Sequence, residues 1–375
     1  MKLFVVSAVA GLIISLAGST PANTSKSDPV PGEKIERSTA VDPQLTVTLC
    51  VASGKLTVRA WDKNELRVRS TDAGQIELRR LDKVKDASVP ASRIDVMVLE
   101  STSKISAKAP QPDCQALADV EMEVPAGATV QVQTRDGDIS ITGVAAAYAG
   151  SQNGNIEIAR ATKVVEAGSI GGSISLKDSS GRVNLSSAGG IVEVVNLKPS
   201  STDDTLEVGT VSGDILLQHV SNPKVMAKTV NGTVTMTGPL ARSGHYSFTN
   251  MTGDIVLALP HDASFQLNAK VSEKRDIVSD FSLKYLAEMP APPAPAAKPG
   301  PSPEPGAVPR TPTPPKTPPA KGGPQVKTGP IISPVIVDKP AVAPYILRRV
   351  TAVCGTGDAT ISVASFGGTV RLKKI

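Results

Sequence analysis

Aromatic side chains make up only 3% of this chain, and Trp61 is its single tryptophan. That excludes a core built around large rings. The apolar mass is Val, Ile, Leu and Ala, which suits stacked strands. Histidine is as scarce: only His219, His245 and His261 occur. None has a second ligand at metal spacing, so no metal and no cofactor are expected. The sequence also lacks a G-x-S-x-G elbow, an H-E-x-x-H pair, a P-loop and a dinucleotide fingerprint. The stretch "RDGDIS" around Asp136 and Asp138 hints at calcium but lacks the spacing and the glutamate of an EF-hand loop. A net charge of +5 falls far short of a nucleic-acid signature, though it permits attraction to anionic envelope polymers. No nucleic-acid partner is expected.

Long apolar runs are missing too, except at the start. Lys2, the apolar stretch Leu3 to Leu16 and the A-x-S pattern Ala17-Gly18-Ser19 read as a signal peptide over 1–19. A spanning helix needs about 20 apolar residues, so the mature chain is expected to have no transmembrane segment. The localisation to expect is export, to a periplasm, the cell envelope or the medium. Three cysteines, Cys50, Cys114 and Cys354, match no zinc or redox spacing. In an oxidising compartment they leave one disulfide and one thiol. Cys50 and Cys114 are the expected pair.

What the sequence does contain is a repeat. Around Gly213 in "TLEVGTVSGDILL", apolar residues fall at offsets −7, −5, −2, +2 and +4. The same template fits Gly172, Gly190, Gly232 and Gly253. It returns near the ends at Gly54 and Gly368. Gly137 and Gly154 keep the outer offsets but place Arg135 and Gln152 at −2. Paired offsets of period two mark short strands with one buried face. The glycine between them is expected to turn the chain through positive φ. One such unit cannot bury its apolar face alone, whereas stacked copies can. The central glycines recur every 17 to 23 residues, and a sandwich would not hold five offsets fixed over so many copies. The fold expected is therefore an all-β, right-handed parallel β-solenoid (β-helix) with coils of roughly 20 residues.

Domain organisation follows from composition. Residues 20–44 read as a flexible leader, 45–125 as a strand-rich first section of the solenoid, and 126–286 as its regular repeats. Residues 287–344 are proline-rich and read as a disordered insertion with polyproline II character. Residues 345–375 resume the rhythm as the final solenoid strands. Lys298, Arg310, Lys316, Lys321 and Lys327 are spread along the insertion with only Glu304 against them. They form a candidate arm for envelope polysaccharide or a protein partner.

The stretches "GKLTVRAWDKNELRVRS", "VEMEVPAGATVQVQTRDGDISI" and "GTGDATISVASFGGTVRLKKI" resemble a bacterial domain-of-unknown-function family labelled putative adhesin, related to GIN-type heads. The resemblance covers about residues 45 to 285 and 346 to 375. It implies a β-solenoid and no catalytic residue to carry over. The function expected is a non-catalytic exported envelope or surface protein, adhesive or scaffolding. The alternative is a carbohydrate-active solenoid enzyme, a lyase or hydrolase, which would need neighbouring carboxylates on an outer face. The turn acids Asp138, Asp214 and Asp254 are separated by copies carrying Asn155, Ser173 and Thr233, which argues against such a pair.

Overall fold

The computed structural model describes residues 34–71, 73–83, 88–99, 114, 116–272, 277–286 and 347–375. These residues form 26 strands and no helix. The chain is an all-β solenoid in which two long, mostly parallel sheets face each other across one core. In the coil centred on Gly213, Thr205–Ser212 runs in one sheet, the chain turns at Gly213-Asp214, and Ile215–Val220 returns in the other. Leu206, Val208, Ile215 and Leu217, at −7, −5, +2 and +4, are at most 3% exposed. They are the inward half of two alternating strands. Stacking is in register: Ile215 pairs with Val192 below and Val234 above. The +2 slot continues without a break through Leu56, Ile139, Ile156, Ile174, Ile255 and Val370.

Two expectations about the corner need correcting. The −2 residue is core only in the Gly54 copy, where Ala52 is 1% exposed; elsewhere Ile170 is 51% exposed, and Val211, Val230, Met251 and Phe366 are only half-buried. The chain turns one residue earlier, so −3 points inward and −2 outward. Arg135 and Gln152 at −2 are therefore no weakness in their copies. The buried −3 column is polar, comprising Thr134, Ser151, Ser169, Ser187, Thr210, Thr229, Asn250 and Ser365. The hydroxyls of Ser151, Ser169, Ser187, Thr210, Thr229 and Ser365 satisfy backbone carbonyls at the turn, whereas Thr134 Oγ1 is buried without a partner. Ser187 Oγ donates to Gly172 O (2.9 Å) and accepts from its own Gly190 N (2.9 Å). Ser169 repeats both bonds with Gly154 and Gly172.

The second correction concerns the glycine itself. Among the corner glycines only Gly54 and Gly253 have positive φ. The shared requirement is closeness. A Cβ on Gly213 would lie 2.1 Å from Gly190 O, and one on Gly232 would lie 2.0 Å from Gly213 O. Each coil rests its corner carbonyl where the next would carry a side chain.

The ends depart from simple succession. Residues 345–375 were expected to be the last strands of the stack. Instead, Ala359–Ser365 lies between His245–Thr252 and Phe265–Ser272. Val370–Lys374 likewise lies between Ile255–Leu259 and Ile277–Ser279. The C-terminal segment is thus the penultimate coil. Leu347–Cys354 then runs antiparallel against Phe265–Ser272 and closes that edge.

The N-terminal end mirrors this arrangement. The first coil, formed by the later part of Ile35–Ser53 and by Leu56–Trp61, is flanked outside by Ala91–Leu99 and Val120–Pro125. Antiparallel strand Gln75–Arg80 follows Ala91–Leu99 in one sheet, and Glu65–Ser70 follows Val120–Pro125 in the other. Residues 35–44, placed in the leader, belong to the strand Ile35–Ser53, because residues 35–40 pair antiparallel with Glu65–Ser70. There Glu36 bridges Arg67 (3.4 Å) and Arg69 (2.8 Å), and the Arg69 guanidinium holds its carboxyl below the usual range. An open sheet edge supplies backbone partners that a free leader lacks.

Candidate functional site

The corner acids serve the stack. Asp138 Oδ1 accepts the backbone N–H of Asn155 (2.8 Å), and Asn155 Oδ1 accepts that of Ser173 (2.9 Å). Asp214 does the same for Thr233 (2.7 Å) and Asp254 for Thr369 (2.8 Å). Asp138, Asn155, Asp214 and Asp254 at +1 therefore each cap the next coil's turn. Parallel in-register stacking requires this, since successive corner amides point along the axis and need an acceptor. Along this column each acid lies between non-acidic neighbours, so no carboxylate pair forms there. Among the described residues no group of three or more His, Cys, Asp or Glu could hold a metal ion.

Cys50 and Cys114 are brought together as a disulfide with Cα atoms 5.0 Å apart. Cys354 is a free thiol, raised in pKa by burial. The candidate arm residues Lys298, Arg310, Lys316, Lys321 and Lys327 lie outside the described residues, as does the 1–19 signal peptide.

Sequence reasoning missed the opposite corner. Six residues after the corner glycine, a column adopts left-handed backbone: Gly143 (φ 82°), Arg160 (54°), Asp178 (50°), Asn196 (56°), His219 (53°) and Gly238 (132°). Gly, Asn and Asp are the residue types that tolerate this region, and that was the available signal. Arg160 lacks that tolerance.

A cleft of about 680 Å³ opens at this corner near the N-terminal end, lined by Arg59, Ala60, Trp61, Asp62, Ala126, Thr142, Gly143 and Arg160. Its origin is local. Arg59 pairs with Thr142 in the next coil, but the two strands then part. The Leu56–Trp61 strand runs on and returns antiparallel through Glu65–Ser70. The neighbouring chain leaves its sheet at Gly143. Trp61 pins the divergence: Nε1 donates to Glu65 O at 2.8 Å, and Arg67 and Lys63 sit 4.6 and 4.9 Å from ring centroids. Arg67 is committed to Glu36 and Glu123. Arg59 and Arg160 are exposed and take part in no ion pair among the described residues.

A family model described as Toastrack DUF4097 matches residues 30–284. No curated protein matches the chain. A crystal structure of a putative cell adhesion protein from Clostridium sporogenes shares 10% identity over 92% of this chain and 100% of that chain, with a TM-score of 0.19. A putative adhesin from Parabacteroides merdae shares 10% identity over 61% of this chain and 90% of that one, with a TM-score of 0.34. A putative adhesin from Bacteroides fragilis shares 16% identity over 60% and 89%, with a TM-score of 0.30.

Proposed function

The chain belongs to the Toastrack DUF4097 family, and from that premise we propose that it is an exported, non-catalytic envelope or surface protein whose solenoid is a rigid binding scaffold. One observation carries this: the acids Asp138, Asp214 and Asp254 at the glycine corner are spent on coil-to-coil hydrogen bonds. A catalytic solenoid keeps neighbouring carboxylates free on an outer face. Here the corner chemistry holds the stack, and the outward strand positions stand at fixed spacing along it. A rod of this kind presents a regular surface to a long partner.

Envelope polysaccharide or an envelope protein is the partner class, and the arm over 287–344 is a second element that could contact it. The test is fractionation of producing cells, with and without 287–344, followed by incubation of the pure protein with acidic polysaccharides. Recovery with envelope material and no release of reducing ends or unsaturated sugars is the expected result. Purely cytosolic recovery, or product release that follows the protein through purification, overturns the proposal.

A further inference from the structure

We propose that the cleft between Arg59, Trp61 and Arg160 binds the anionic groups of an acidic polysaccharide. This rests on the scaffold reading above and gives it a site and a ligand chemistry. Three observations converge on it. First, the cleft is large and open to solvent, with an indole wall, one hydroxyl (Thr142) and one carboxylate (Asp62) beside two guanidinium groups. A volume of this size falls in the range of small-ligand sites. Second, the cations are unspent. Arg67 and Arg69 nearby are both taken up by Glu36 and Glu123, while Arg59 and Arg160 engage no carboxylate among the described residues. Lys63, over the Trp61 ring, adds a third positive charge at the rim, so the site is net positive even after Asp62.

Third, the corner imposes left-handed backbone on every coil from Gly143 to Gly238, and where Gly143, Asp178, Asn196, His219 and Gly238 stand in the other coils this one places Arg160, at φ 54°. A left-handed arginine is strained where Gly or Asn would rest easily, and such outliers persist where another requirement holds them. Placing a guanidinium on the cleft lining is such a requirement. Guanidinium matches carboxylate or sulfate in a bidentate fork. The apolar Trp61 wall and the Thr142 hydroxyl suit sugar faces and hydroxyls. The cleft follows the stacking direction over three coils, from Trp61 past Thr142 to Arg160, as a chain-like ligand requires.

The experiment uses the full mature chain and four probes: alginate (carboxylate sugars), dextran sulfate, neutral dextran and poly-glutamate. The expected result is binding to alginate or dextran sulfate, weakened by salt, with neutral dextran silent and poly-glutamate weaker; the better of the first two identifies the anion. Arg59→Gln and Arg160→Gln should each weaken binding roughly tenfold or more, as loss of a charge-assisted pair does. Lys228→Gln, an exposed charge on the far sheet, should leave it unchanged. Arg160→Asn should weaken binding yet raise the melting temperature, since Asn relieves the left-handed strain. Equal losses with Lys228→Gln would reduce the effect to diffuse charge. Poly-glutamate binding as tight as alginate would make the ligand a peptide. Absence of binding to either anionic polymer would remove the site. Each of these results overturns the inference, and none disturbs envelope recovery, so the two proposals fail separately.

Discussion

Replacing Gly213 with alanine tests what the corner glycine is for. Gly213 does not have positive φ, so if conformational freedom were its role, alanine would be tolerated. It would even gain about 0.4–1 kcal/mol by restricting the unfolded chain. The structure says otherwise. The new Cβ would sit 2.1 Å from Gly190 O and 2.8 Å from Gly190 C, and both are backbone atoms that no rotamer change can move. The carbonyl would have to shift by about 1 Å within a parallel ladder, and overpacking of this kind costs about 1–3 kcal/mol. The coil above cannot absorb the shift, because Gly232 rests on Gly213 O in the same way. A net destabilisation near 2 kcal/mol is expected. Gly209 is the control. It lies four residues away in the same coil, and a Cβ there meets nothing within 4 Å. Gly209→Ala should be neutral or slightly stabilising. Denaturant midpoints followed by far-UV circular dichroism give the comparison. Trp61 fluorescence shows whether the distant N-terminal coil melts with the rest. Equal midpoints for the two variants would refute close approach as the reason for the glycine column.

Ile215 is fully buried between Val192 and Val234, so Ile215→Asp should cost several kcal/mol. Gln218→Asp on the outer face should be nearly silent, and equal denaturation midpoints would contradict the inward assignment. Reduction of Cys50–Cys114 opens a link of sequence separation 64 and should lower stability by about 4 kcal/mol on the loop-entropy estimate. Thiol labelling of the unfolded, unreduced protein should mark Cys354 alone; a label on Cys50 would contradict the pairing. Leu286 N donates to Thr351 O (2.9 Å), four residues along its strand from Leu347, or about 14 Å. A Gly/Ser link of roughly eight residues can therefore replace 287–346, and thermal stability should stay nearly unchanged. A large drop would show that the segment supports the core. Arg80 and Ser92 hold the Asp82 carboxyl down from 3.8 to about 2. The folded pKa is the lower one, so the contribution is present above about pH 4 and fades as pH falls toward 2. The stability gap between the parent and Asp82→Asn should close over that window; a constant gap would mean the carboxylate is not the cause.

The four outer offsets were legible because each is a direct consequence of alternation: −7, −5, +2 and +4 all lie inside strands. Beyond the Gly54 copy, where Ala52 is buried, the −2 position misled because apolar residues occupy it on the outside of a turn, where period-two counting no longer holds. The −3 serines and threonines were overlooked for the opposite reason. A polar residue reads as exposed until its acceptor, a carbonyl in another coil, is known. The left-handed corner hid because its column mixes Gly143, Arg160, Asp178, Asn196 and His219. The shared property is a dihedral angle rather than a residue type. The cleft was invisible for a stronger reason. Arg59 and Arg160 are about a hundred residues apart in sequence, and they line one cleft only because the first coil stacks against the Gly137 coil and that coil against the Gly154 coil.

The excursion through 62–128, which separates the first coil from the Gly137 coil, and its counterpart at the other end follow from a problem every open solenoid faces. A parallel stack ends in two bare edges, each a template for another chain. Here the coil formed by residues 41–61 and the coil formed by Ala359–Lys374 each stand one place inward, so that the outermost coil at either end is held between one of them and antiparallel closing strands. The middle coils can form from neighbours roughly 20 residues apart, whereas the ends need closures across much longer separations. Asp254 caps Thr369 across 115 residues, and Cys50 meets Cys114 across 64. Long closures are slow and costly to form, and covalent and ionic fastening is concentrated at one of them: the disulfide and the Glu36–Arg67–Arg69–Glu123 cluster both stand at the N-terminal end. The proposed polysaccharide cleft lies at that same end, where the chain must diverge to make its closure. A site there needs the side chains of Arg59 and Arg160 held at fixed separation, and the end that is most heavily fastened is the one that can hold them.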